Sequence, residues 1–292
     1  MIDELPRRGI QHPGPVAAGR IDALPVALQR HELLLQPGTS LLQALVQALP
    51  AGTRSAVLSL HGGTLAPLAY VMPALSRSAE HAVYFSERFE AAAPAQLIDA
   101  SVTYGQRDGR PWLHCHARWT DADGRRHCGH LLPGDVQLAS PLAASAWCLD
   151  GAEFSVVADD ETRFTLFKPV ATALTTAGAG PVQALAVRVA PNQDICRALE
   201  SLCLQHGLSH ARVRGGVGST VGAQFDDGRR VEPFVTELLI RDGRVRPGAD
   251  GRPQAELEVS LVDHTGGLAD GRLARGANAV LVTFELVLEA GD

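Results

Sequence analysis

One stretch of this chain can be laid on another with a single offset of 142 residues. Asp108-Gly-Arg-Pro111 recurs as Asp250-Gly-Arg-Pro253, and with the same offset and no gap Asp121, Gly124, Gly129, Leu131 and Gly134 fall on Asp263, Gly266, Gly271, Leu273 and Gly276. A repeat of this length divides the 292 residues into two similar units, each with a core of its own. The copies differ most at three positions. His114, His116 and His130 of the first stand where the second has Glu256, Glu258 and Arg272, so the first copy carries a chemistry that the second lacks.

Both copies follow one order of elements. Each opens on a strand, Glu32 to Leu35 or Ala186 to Val189, then turns at Pro37-Gly38 or Pro191-Asn192. A helix follows, capped by Ser40 or Asp194 and running Leu41 to Leu49 or Ile195 to Leu204, with apolar residues at three- and four-residue spacing. Gly52 and Gly207 mark the helix ends. A strand then enters a glycine turn, Ala56 to Gly63 in one copy and Ala211 to Gly218 in the other. The first copy has a longer middle section, around His81 to Ala95, whose pattern names no element. The expected divisions are a Pro- and Gly-rich arm over 1–27, a first domain over 28–172, a linker over 173–182 and a second domain over 183–292.

The strand after Asp-Gly-Arg-Pro is the most legible element. Leu113, Cys115, Ala117 and Trp119 alternate with His114, His116, Arg118 and Thr120, and Ala255, Leu257, Val259 and Leu261 alternate with Glu256, Glu258, Ser260 and Val262. Period-two alternation sends one set to a core and the other, with His114 and His116, to the opposite face. The turn Asp121-Ala-Asp-Gly124 reverses the chain, so the returning strand brings His130 beside the His-x-His pair. Three neutral imidazoles on adjacent strands suit zinc or another divalent metal and leave a coordination position open. The same residues also read as surface or interface histidines. Their replacements Glu256, Glu258 and Arg272 form a salt-bridged cluster if the three positions meet, or three solvated residues if they do not.

Other candidates carry less. His127 and Cys128 lie on the returning strand as additional donors, but a buried free cysteine is more often packing than ligand. Cys196 and Cys203 fall on the second helix and read as core. Glu90 and Asp99 are the acids available for proton transfer near the histidines, although no spacing brings them there. Arg214-Gly-Gly-Val-Gly218 follows a strand without a helix behind it, so it reads as a bend against a packed neighbour rather than a nucleotide loop.

Composition closes some classes. Residues up to Val170 hold 14 basic and 17 acidic side chains and the remainder 12 and 15, so each part carries a net charge of −3. Binding driven by phosphate neutralisation needs clustered Lys and Arg, which neither part supplies. No apolar run reaches membrane-spanning length, the opening residues lack the pattern of a signal peptide, and five unpaired cysteines suit the cytoplasm.

The combination His114-Cys-His116, Asp121-Ala-Asp-Gly124, Gly129-His130-Leu131 and Gly134 resembles the plants-and-prokaryotes conserved (PPC) domain family, in tandem duplication. The Pro-Gly-x-Ser entry to the first helix and the strand–glycine turn around Ser59 to Thr64 fit that resemblance, which spans about Leu28 to Val170. It implies an α+β fold, a mostly antiparallel sheet with packed helices, and assembly as homotrimers. It also implies a metal site on His114, His116 and His130. The family is often labelled DNA-binding through members that carry AT-hooks, which this chain lacks. The expected function is therefore an oligomeric binding module with a three-histidine metal site in its first domain. The alternative is a zinc-dependent decarboxylase or hydrolase acting on a small carbonyl or ester substrate, by analogy with acetolactate decarboxylase, whose fold and histidine ligands are similar.

Overall fold

The computed structural model describes residues 8–173 and 182–291, so the opening residues and the Thr175 to Pro181 break lie outside the described residues. The first half runs β1 (Ile21–Leu35), α1 (Leu41–Ala48), β2 (Ala56–His61), β3 (Thr64–Leu65), β4 (Ala69–Val71), β5 (Pro73–Leu75), β6 (Val83–Phe85), β7 (Phe89–Glu90), β8 (Ala95–Arg107), β9 (Arg110–Thr120), β10 (Arg126–Leu131) and β11 (Leu142–Asp150). A hairpin of β12 (Ala152–Ala158) and β13 (Thr165–Ala171) leads on to the second half. That half runs β14 (Ala184–Val189), α2 (Ile195–Gln205), β15 (Ala211–Gln224), β16 (Arg230–Pro247), β17 (Pro253–Asp263), β18 (Leu268–Arg272) and β19 (Val280–Ala290).

Hydrogen bonding orders the first half β1–β11–β2–β8–β9–β10. The second half is ordered β14–β19–β15–β16–β17–β18, which is the same path through equivalent strands. Pairing is antiparallel throughout except where β12 meets β8 at Ser155 and Gln106. Helix is the minor component, one per half among the described residues, and the architecture is mostly antiparallel sheet. Both helices start where the sequence predicts: Ser40 accepts the Gln43 amide at 3.3 Å and Asp194 accepts the Arg197 amide at 2.8 Å. These caps satisfy amides that the first helical turn leaves unpaired.

The expected opening strand, Glu32 to Leu35, is the end of a much longer one. β1 pairs with β14 over Ile21–Val26 and then with β11 over Ala27–Leu35, so a single strand belongs to the sheets of both halves. Each half has its own apolar core. Leu113, Cys115, Ala117 and Trp119 enter the first beside Leu41 and Leu45 of α1; Leu257, Val259 and Leu261 enter the second beside Ile195 and Leu199 of α2. Further apolar clusters join the halves, one through Val26, Val57, Trp147 and Val287 and another through Cys128, Leu239 and Val262. The face of β9 and β10 opposite the first core is therefore covered by the second half.

The glycine-rich Arg214–Gly218 segment is a bulge inside β15. Gly215 and Gly216 have φ of +66° and +111°, and a Cβ on them would lie 2.8 Å from Val57 and 2.9 Å from Ile240. Only glycine gives this backbone conformation and this close an approach. The segment is a packed bend, not a nucleotide loop.

Candidate metal centre

Alternation along β9 sends His114 and His116 to the face away from the first core, and the register of β10 sets His130 directly opposite His116. The three imidazoles converge. One nitrogen from each lies within 4.8 Å of the others, and the ring centroids are 4.6, 4.9 and 5.4 Å apart. Alternation correctly takes these side chains off the first core, but they are not on an open surface. His116 is 2% exposed, with β16 of the second half against it, and β19 lies against His114.

The second half also fixes the ring orientations. His114 Nδ1 is 2.7 Å from the Glu285 carboxylate on β19, and His116 Nδ1 is 2.8 Å from the Leu238 carbonyl on β16. Both contacts make Nδ1 the donor, which directs each Nε2 inward, and the two Nε2 atoms stand 3.0 Å apart. Two basic nitrogens approach this closely only with a proton or a cation between them. His130 Nδ1 is buried without a hydrogen-bond partner.

The electrostatics follow from burial and two carboxyls. Burial pulls the His114 imidazole down, but the charge and hydrogen bond of Glu285, helped by Glu237, outweigh it and hold His114 above the usual histidine range. His116 and His130 are held well below that range, chiefly by burial and further by charge on His114. Glu237, on β16, is pushed up to about 8 by burial, with His114 working the other way. Thus the metal-free centre favours one imidazolium, on His114, donating to a neutral His116.

An aromatic flank completes the surroundings. The β5–β6 hairpin is a separate two-stranded piece, and its Phe85 ring meets His130 edge-on at 5.3 Å and Phe164 at 6.0 Å. The β6 strand of this hairpin falls in the middle section that sequence patterning leaves unnamed. The second-half contributions, Glu285, Glu237 and the Leu238 carbonyl, are also absent from the sequence reading. Their one signal is an acid inside an otherwise apolar strand, as in Val-Thr-Phe-Glu285-Leu-Val.

The other sequence candidates lie elsewhere. Asp99 is bonded to Arg118, with Oδ1 2.7 Å from its Nε, and Glu90 pairs with Arg88 at 2.8 Å. His127 pairs with Asp121 at 2.7 Å and stacks on Trp119, while Cys128 packs in an apolar cluster. Cys196 and Cys203 are fully buried in the second core. At the positions equivalent to the three histidines, Arg272 bonds Glu258 at 3.1 Å, but Glu256 turns to Arg244 and Arg246. Two of those three substituted positions meet and the third does not.

No family model matches the chain, and none of the curated proteins does. Solved structures do. A metal-containing protein from Archaeoglobus fulgidus is similar at 18% identity, covering 49% of this chain and 96% of its own, with a TM-score of 0.40. A proposed DNA-binding protein from Ralstonia eutropha is similar at 14% identity over 47% of this chain and 89% of its own, with a TM-score of 0.36. Over half of this chain and 96% of its own, a plant- and prokaryote-conserved (PPC) protein from Pyrococcus horikoshii is similar at 15% identity, with a TM-score of 0.39.

Proposed function

We propose that the chain is a duplicated PPC-like protein that holds one divalent metal ion on His114, His116 and His130. The observation that supports this most directly is the pinning of two rings from behind. A carboxylate and a backbone carbonyl accept from Nδ1 of His114 and His116, so their Nε2 atoms face one another. Ligating histidines characteristically have such partners on the other ring nitrogen. The donor set itself is three imidazoles, which suits zinc and its neighbours, and the partnerless His130 Nδ1 fits a ring whose role is not hydrogen bonding. A metal held on these residues would supply a Lewis acid. The protein's own groups orient the rings, exclude bulk water and place a protonatable carboxyl, Glu237, nearby.

The wider reading is a binding module of two PPC-like domains, 28–172 and 183–292, joined by 173–182 and preceded by the 1–27 arm. The repeated strand order supports the duplication. The resemblance adds a homo-oligomer, a homotrimer in that family; the free, buried Cys115, Cys128, Cys148, Cys196 and Cys203 suit a cytoplasmic setting. Among the described residues no helix is long and apolar enough to cross a membrane. A solution mass near 30.9 kDa by light scattering would contradict the oligomer.

Elemental analysis of protein purified without a His-tag tests the central claim. The expected result is about one divalent ion per chain, lost in His114→Ala and His116→Ala variants that keep the native circular dichroism. Wild-type protein that takes up no zinc, cobalt or manganese above the imidazole pKa would overturn the reading.

A further inference from the structure

Against two of the three imidazoles lies a cavity of about 70 Å³ between the two halves. His114 and His116 form one side of it, and Val83, Phe85, Val235 and Leu281 supply apolar walls. Ser219, Thr236 and Thr283 add hydroxyls, and Glu237 is the acid on that lining. It is 7% exposed, and its Oε2 is buried with no hydrogen-bond partner. Buried polar atoms in native proteins are nearly always partnered, so an unpartnered carboxyl oxygen on a cavity wall points to a guest. Glu237 is not among the donors that lie within 4.8 Å of one another, which makes it a neighbour of the centre and not a fourth ligand.

The cavity also limits the guest. Its volume has room for several waters, hence for a molecule of only a few non-hydrogen atoms. Its walls are mostly apolar, and two carboxyls, Glu237 and Glu285, flank His114. Taking a charge from water into walls of this kind is costly, which favours an uncharged guest.

We propose that this cavity seats a small uncharged molecule with two oxygen functions on a short apolar frame. One oxygen lies at the three-imidazole centre and the other hydrogen-bonds to Glu237. The inference rests on the metal reading above, since the bound ion holds the first oxygen. It also makes the second half a contributor to the binding site, although that half has lost the histidines.

The test uses the full chain loaded with cobalt(II) and hydroxyacetone as the probe. Metal content is measured separately, and binding is read from paramagnetic broadening of the hydroxyacetone proton signals. Wild-type protein is expected to broaden them saturably. Glu237→Leu is expected to keep its cobalt and weaken binding at least tenfold. Val83→Phe fills the cavity from the hairpin outside the main sheet, and it too is expected to keep cobalt and lose the probe. If wild-type protein takes up no cobalt, the metal reading and this inference fall together. If cobalt is bound but hydroxyacetone is not broadened, or if either folded variant binds it as tightly as wild type, this inference alone is overturned.

Discussion

Glu285 shows how one side chain can matter to a metal centre that it does not touch. It is 1% exposed as a side chain, accepts from His114 Nδ1, and lies across from Arg188 in the sheet. Replacing it with Gln removes the charge that keeps the His114 ring in place, and such changes typically cost about 10–100-fold in metal affinity. Zinc titration by calorimetry is expected to show that loss in Glu285→Gln, with an unchanged one-to-one stoichiometry. Glu237 makes a prediction of the opposite kind. Its carboxyl is raised to about 8 in the fold from an ordinary 4.5, so the folded state keeps its proton where the unfolded chain has released it. This contribution is fully present below about 4.5 and is lost as pH rises through about 8. Within that window it should erode the folding equilibrium of metal-free protein by roughly tenfold per pH unit. Urea denaturation at several pH values should show a flatter profile for Glu237→Gln; an identical slope would contradict it. Neither acid is legible in the sequence as part of the site. Each is separated from the histidines by more than a hundred residues, and packing between sheets, which no local pattern encodes, brings them there.

At the level of elements, legibility followed periodicity. The alternation of β9, the turn at Asp121–Gly124 and the caps at Ser40 and Asp194 are local signals, and the structure uses all of them. The β5–β6 hairpin had no such signal, because two three-residue strands are too short to show a period. The extent of β1 is also hidden: only its last four residues, Glu32 to Leu35, stand out as a strand, yet its first six pair with the other half. Adjacent glycines at Arg214–Gly218 predict a bend ending a strand; the structure keeps the bend but as a bulge inside β15, which runs on to Gln224 in place of a turn. Gly216 has φ of +111° and a close neighbour in Ile240, so Gly216→Ala combines backbone strain with overpacking. Expected destabilisation is about 2–4 kcal/mol, measured as a shift in denaturation midpoint. A change within about 0.5 kcal/mol would mean that the bulge relaxes freely.

For the molecule as a whole, charge and connectivity decide the behaviour. The arginines are numerous but mostly answered: Arg54 by Glu153, Arg118 by Asp99, Arg214 by Glu289, Arg246 by Glu256 and Arg275 by Glu200. A surface neutralised in this way has few cations left to displace counterions from DNA. Fluorescence anisotropy with AT-rich and GC-rich duplexes at near-physiological salt is expected to show no tight complex; a nanomolar one would refute the charge argument. The sharing of β1 between both sheets has a different consequence. Pulling the halves apart would strip a strand from one sheet or the other, so hinged opening like a clamshell is denied to this protein. Access to the imidazoles then falls to the small openings at their edge, where Phe85 and Phe164 stand in the wall of both cavities that reach them.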